Sequence, residues 1–141
     1  ANGARRERIE YLKYVTSLAS PTVQQLAVAE LLANGRYERY LREVRSLYAR
    51  AVARMSDAVM KTFPEGTRIS QPQGGFVLWV ELPEHIDSFD LARRALRQGV
   101  SIAPGPLFSA SGKFSHFIRL SCARVWDARM ERALLNLAKL I

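Results

Sequence analysis

The chain has few of the residues that form disulfides and metal sites. Its 141 residues include one cysteine, Cys122, and two histidines, His85 and His116. A single cysteine excludes an internal disulfide and is typical of a reducing compartment, so we expect a cytoplasmic location. Cys122 lies among apolar strand residues, and we interpret it as a buried structural thiol. The histidines stand far apart without other ligands nearby, so we expect no metal site.

Several catalytic and targeting motifs are absent as well. The sequence has no CxxC, HExxH or Walker phosphate loop, and none of its serines stands in a GxSxG elbow. No apolar run approaches the length of a membrane span, and the N-terminus lacks the apolar core of a signal peptide. We therefore expect no membrane association, and the motifs identify no catalytic residue in this chain.

Positive charge is in excess, with a net charge of +8. The densest basic stretch is GRYERYLREVRSLYARAVARM, residues 35–55, where arginines fall between the apolar positions of a helix. This spacing favours a solvated helix face. A surface that binds nucleic acid is the alternative interpretation.

The first half of the chain has helical periodicity. We expect a short helix over about 4–16, a second helix that ends at Gly35, and a long helix over 36–62 with apolar residues at i, i+3, i+4 and i+7. At 1.5 Å per residue the long helix would extend about 40 Å, which is typical of a helix that braces two domains. The predicted organisation is N-terminal helices over 1–35 and a small domain over 36–141.

After residue 66 the apolar period changes to two. GGFVLWVEL (74–82), VSIAP (100–104) and SHFIRLSCA (115–123) read as strands, and helices follow the predicted N-caps Ser88 and Asp127. This order predicts an α+β fold with a small three- to four-stranded, mostly antiparallel sheet and helices packed on one face.

Three features of this second half are candidates for function. Gly74 and Gly75 precede a strand, where they form either a plain turn or a close backbone approach. The loop APGPLFSASG, residues 103–112, either shapes a pocket or only connects two strands. Arg119 alternates with Ile118 and Leu120, which places it on the opposite face of its strand. Pattern alone favours a solvent-facing arginine, although a guanidinium also matches a carboxylate.

Three sequence blocks together resemble a known family. QPQGGFVLWVELPE (71–84), ALRQGVSIAPGPLFSASG (95–112) and FIRLSCA (117–123) resemble the C-terminal small domain of fold-type I pyridoxal-phosphate (PLP) aminotransferases. The sequence of these blocks is most similar to the aminotransferase-like domain of the MocR subgroup of GntR transcription regulators. Residues 14–45 resemble the segment that leads into the interdomain helix of that subgroup.

The resemblance implies a role for each candidate residue. Arg119 corresponds to the arginine that binds the substrate α-carboxylate. Phe108 would be the apolar contact of the PGPLF loop, and Gly74 and Gly75 would belong to a turn beside the substrate pocket near the domain interface.

The resemblance also implies that part of the site lies elsewhere. The Schiff-base lysine of the family lies upstream, and none of the four lysines here stands in its sequence context; they are Lys13, Lys61, Lys113 and Lys139. We therefore expect a fragment of a longer parent that binds PLP. We expect this chain alone to bind no cofactor and to be inactive, because the electron-sink chemistry belongs to the cofactor.

Three functions remain open at this stage. The first is the domain of a GntR/MocR regulator that senses an amino-acid effector or its PLP aldimine, in a homodimeric parent whose missing N-terminal domain binds DNA. The alternative is the C-terminal lobe of an amino-acid aminotransferase of the aminoadipate or kynurenine type. The third is a nucleic-acid-binding module that uses its basic helix. In each case, apolar helix faces left uncovered predict self-association or a partly disordered N-terminus.

Overall fold

A computed structural model describes residues 3–141 of the chain. The α-helices are α1 (Arg6–Ser17), α2 (Thr22–Ala33), α3 (Arg36–Thr62), α4 (Ser88–Arg97) and α5 (Ala128–Ala138). The strands are β1 (Arg68–Ile69), β2 (Val77–Glu81), β3 (Ala103–Pro104) and β4 (Phe117–Ser121). Single 3-10 turns lie at Gly3–Arg5 and Gly105–Phe108. The helix predicted over 36–62 is observed as α3.

The chain divides into two units, with the boundary between Arg42 and Glu43 inside α3. In the first unit, none of residues 3–42 is buried. Large apolar side chains such as Ile9, Leu26 and Leu32 are at least 43% exposed, which confirms the prediction that these helices carry uncovered apolar faces. Self-association through them stays a prediction. No helix within residues 3–141 combines the length and apolar character needed to cross a membrane.

The second unit, Glu43–Ile141, contains a four-stranded sheet in the order β1-β2-β4-β3. Each neighbouring pair is antiparallel. In the central pair, Trp79 of β2 lies opposite Arg119 of β4, and Ala103 of β3 lies opposite Arg119 on the other side. Arg119 is therefore flanked by a strand on each side, which restrains its backbone.

The core of this unit lies on one face of the sheet. Side chains alternate along β2 and β4, so every second residue faces the helices. Leu78, Val80 and Ile118 are fully buried there and belong to one apolar cluster with residues of α3, α4 and α5. The predicted α+β fold with helices on one face is thereby confirmed. Arg119 stands on the other face.

The two helices that follow strands begin at aspartates. Asp127 Oδ1 accepts a hydrogen bond of 2.8 Å from the backbone N–H of Met130, as an N-cap does. For α4 the predicted cap was wrong by one residue. Asp87 Oδ1 accepts from the N–H of Asp90 at 2.7 Å, whereas the Ser88 hydroxyl is buried without a hydrogen-bond partner in the described residues.

Strand β1 was not predicted. It has only two residues, Arg68 and Ile69, and a two-residue segment shows no alternation that sequence can reveal. Its place in the sheet comes from its register, in which Ile69 lies opposite Val80. The predicted division of the chain at residue 35 stays a prediction.

Candidate functional site

Arg119 lies at the centre of the sheet face that the helices leave open. Its neighbours Ile118 and Leu120 are buried, whereas Arg119 is exposed. This pattern confirms the predicted orientation of its side chain. A guanidinium on a central strand has little backbone freedom, so its fork of N–H donors is pre-oriented for a planar anion.

Phe108 contacts the guanidinium of Arg119 directly. The Cζ atom of Arg119 lies 4.3 Å from the centroid of the Phe108 ring, within the range of a cation–π interaction. The structure therefore brings together two of the four residues that the sequence singled out. A cation–π contact uses none of the N–H donors of the guanidinium, so they remain available.

Three further aromatic rings form a cluster that contacts Phe108 through Trp79. Trp79 meets Phe108 edge-on with ring centroids 5.6 Å apart and meets Phe114 edge-on at 5.5 Å. It also stacks with Phe117 at 5.7 Å. Aromatic pairs in these arrangements stabilise one another beyond the burial of their area. The result is an apolar wall beside the guanidinium of Arg119.

The acidic residue of this sheet face is engaged away from Arg119. Glu81 lies 3.7 Å from Arg68 and 3.6 Å from Nε2 of His116. Within residues 3–141, the Arg119 side chain has no hydrogen bond or ion pair with another side chain. An exposed guanidinium with its donors unused can donate to a carboxylate without first breaking an internal ion pair.

Gly105 allows the Phe108 turn to approach the neighbouring loop. A Cβ at Gly105 would overlap the carbonyl oxygen of Phe114 and would lie 2.9 Å from the Cβ of Phe117. Only glycine fits such an approach. Phe114 itself has φ of 69°, in the left-handed region that aromatic residues rarely adopt. Backbone strain of this kind persists where surrounding contacts hold it.

The Gly74–Gly75 turn lies just before β2, and a Cβ built at either glycine would not reach Arg119. Gly75 has φ of +79°, so the turn needs a glycine there. A Cβ at either glycine would meet no atom of residues 3–141 within 4 Å, so the close-approach interpretation receives no support from this chain. The next residue, Phe76, packs against Tyr48 of α3 at 5.1 Å.

Cys122 is a buried thiol, as predicted, with 3% of its surface exposed. Burial raises the pKa of Cys122 to about 11, and a backbone hydrogen bond at Leu78 opposes part of that rise. A thiol with such a pKa is almost entirely protonated near neutrality and is a poor nucleophile. Among residues 3–141 no group of three His, Cys, Asp or Glu side chains could hold a metal ion.

Sequence reasoning missed Trp79, Phe114 and Gly105 as parts of this site. Trp79 had a detectable signal, because it alternates with the buried positions Leu78 and Val80. Gly105 lies in the candidate loop 103–112, but neither it nor Phe114 was singled out, since their contact joins residues from two loops. Only the folded chain brings them together.

No family model matches the chain. It is similar to two HTH-type transcriptional regulators of Escherichia coli K12 described as uncharacterized, YjiR and YdcR. It is 36% identical to YjiR over 123 residues and 35% identical to YdcR over 141 residues, or 87% and 100% of this chain. It spans only 26% and 30% of the lengths of these relatives.

Among solved structures, the chain is similar to LysN, the α-aminoadipate aminotransferase of Thermus thermophilus, in complex with N-(5'-phosphopyridoxyl)-L-leucine. The TM-score is 0.79 at 32% identity, over 92% of this chain and 33% of that one. These similarities confirm the resemblance predicted from the sequence. The chain has the fold of an aminotransferase-like domain, of the kind found in GntR/MocR-type regulators and PLP-dependent aminotransferases.

Proposed function

We propose that this chain is the effector-sensing, aminotransferase-like domain of a transcription regulator of the GntR/MocR type. The observation that carries the proposal is the match of the whole chain, at 35% identity, to a regulator named for its HTH domain. In such a protein the sensing domain binds a small molecule and biases DNA binding by a separate domain. The parent is proposed to be a bacterial-type, cytoplasmic homodimer.

Arg119 is the proposed carboxylate-binding residue of this domain. Its exposure, its place between β2 and β3, and its unused N–H donors all support the role. The ligand class that follows is an amino acid, whose carboxylate pairs with the guanidinium in a two-pronged geometry. Phe108 and the Gly74–Gly75 turn are proposed to border the same pocket.

The residues of this chain do not by themselves fit PLP, which we propose for the longer parent. Two cavities of Glu43–Ile141, of about 320 and 350 Å³, have no lysine in their lining that could hold the cofactor. When bound, PLP supplies the electron sink for amino-acid chemistry. The contribution proposed for this chain is limited to binding the carboxylate and forming an apolar wall beside it.

The second candidate is the corresponding lobe of an aminotransferase, favoured by the TM-score of 0.79 with LysN. One experiment separates the two functions. The polypeptide encoded by the complete gene is purified, and its binding to DNA upstream of that gene is measured with and without amino acids.

A regulator should bind this DNA, and an amino acid should change its affinity. Turnover of an amino acid and a keto acid without DNA binding would support the aminotransferase instead. Arg119→Gln should abolish the amino-acid response under either function, so DNA binding is the readout that distinguishes them.

A further inference from the structure

One cavity lies on the helix-covered side of the sheet, on the other face from Arg119. This cavity, of about 350 Å³, lies between α3 and the loop that joins β4 to α5. Its lining includes Cys122, which belongs to the same buried cluster as Ile118 and Leu120. The proposed carboxylate site of Arg119 therefore does not account for it.

The cavity is apolar inside and remains partly uncovered. Met55 and Cys122 are 4% and 3% exposed. Toward the opening, Leu47 and Val125 are 56% and 85% exposed. Apolar side chains in a concave site of this size are typical of a site that encloses the apolar part of a small molecule.

Three arginines lie around the cavity, and none of the residues that line it is acidic. Arg50 donates to Ser46 Oγ at 2.6 Å, and Arg54 lies over the Trp126 ring at 4.8 Å and 3.5 Å from Glu131. Arg124 has no side-chain hydrogen bond or ion pair in the described part of the chain. The cavity is thus complementary to a negative charge.

A neighbouring cavity of about 320 Å³ differs in charge. It shares Arg124 and Val125 with the cavity of about 350 Å³, but its lining also includes Asp127 and Arg129, so one carboxylate lies among two arginines there. That carboxylate lowers the preference for an anion there. Of these two cavities, only the one of about 350 Å³ combines an apolar interior with charged lining residues that are all positive.

We propose that the cavity lined by Leu47, Arg50, Arg54, Cys122, Arg124 and Val125 binds an apolar monocarboxylate. The alkyl or aryl group enters between α3 and the Val125 loop, and the carboxylate pairs with Arg124 and Arg50. The volume suits a small molecule better than a peptide helix, whose side chains would need a longer groove. The site does not depend on the function proposed for Arg119.

Octanoate is the probe, and Trp126, which lines the cavity, is the reporter. Trp79→Phe leaves Trp126 as the only tryptophan of the two in the chain. In that background, octanoate should change Trp126 fluorescence saturably, and octanol should bind at least tenfold more weakly. Arg124→Gln should weaken octanoate binding by about three- to tenfold, the range for a partly exposed charge-assisted hydrogen bond.

Two control comparisons guard against binding to the exposed apolar helices of the first unit. Arg93→Gln removes an exposed arginine that does not line the cavity and should leave octanoate affinity unchanged. Leu47→Glu and Leu47→Lys replace the same apolar side chain by side chains of opposite charge. Glu should weaken octanoate binding more than Lys does.

Equal affinity for octanol and octanoate, or no effect of Arg124→Gln, would overturn the proposal. So would equal effects of Leu47→Glu and Leu47→Lys. A Trp126 response to an acidic peptide but not to octanoate would overturn the small-molecule assignment and indicate a protein partner.

Discussion

The guanidinium carbon of Arg119 lies 4.3 Å from the centre of the Phe108 ring, although the two residues come from a strand and from a 3-10 turn eleven positions earlier. The ring makes a cation–π contact with the guanidinium, and the N–H groups of the guanidinium can still donate to a carboxylate. This contact joins the loop PGPLF to the strand FIRLS, two of the three blocks that carry the family resemblance.

Arg119→Lys tests the carboxylate role. Lysine keeps the charge but loses the planar fork, so in the longer polypeptide amino-acid affinity should fall by about tenfold or more. Isothermal titration calorimetry measures the loss. Arg97→Lys, an exposed residue of α4, is the matched control and should bind like the original protein. If Arg119→Lys binds the amino acid as tightly as the original protein does, Arg119 is not the carboxylate-binding residue.

Phe108→Ala tests whether the ring positions Arg119. Loss of a cation–π contact costs about 0.5–1 kcal/mol at an exposed site, so amino-acid affinity should fall a few-fold. Phe108 is 44% exposed, and the melting temperature should change little. Phe108→Tyr keeps an aromatic face and should restore the affinity. A tyrosine variant as weak as the alanine variant would argue against positioning through the ring.

Alanine substitutions should distinguish a glycine that is in close contact with another loop from a glycine in an open turn, because only the first should lower the free energy of unfolding. Gly105→Ala forces Phe114 and Phe117 to move, and we expect a loss of about 1–3 kcal/mol in the free energy of unfolding. Gly74→Ala meets open space and should stay within about 0.5 kcal/mol of the original chain. Urea unfolding measures both. Equal stability of the two variants would contradict the contact at Gly105.

The raised pKa of Cys122 predicts a pH-dependent stability. The folded chain holds this proton up to about pH 11, whereas the thiol of the unfolded chain keeps its ordinary pKa of 9.0. The folded state therefore binds more protons between these two values, and the free energy of unfolding contributed by Cys122 falls as pH rises from 9 to 11. Below pH 9 this contribution is fully present.

Urea unfolding across that pH range measures the effect, with Cys122→Ala as the control for other titrating groups. The part of the pH dependence of the free energy of unfolding that is absent in Cys122→Ala is due to the thiol. Rapid reaction of the native thiol with a disulfide reagent at pH 8 would contradict its burial. Unfolding in urea should restore fast reaction.

Several features of the fold could be predicted because they depend on local periodicity. Helix α3 follows from its repeating apolar positions, and β2 and β4 follow from their alternation. The same alternation placed the side chains of Arg119 and Ile118 on opposite faces of β4. The cap of α4 was missed because Ser88 and Asp87 are both good N-cap residues, and tertiary packing buried one of them.

The chain sequence alone determined the helices, the main strands and the face on which Arg119 lies, because each depends on side-chain spacing within a short segment. Tertiary structure decided what surrounds Arg119. The contact between Phe108 and Arg119, the Trp79 cluster and the close approach at Gly105 join residues from separate strands and loops. The same holds for the arginines around the Cys122 cavity, since contacts of this kind depend on how the segments pack and leave no periodic signal in the sequence.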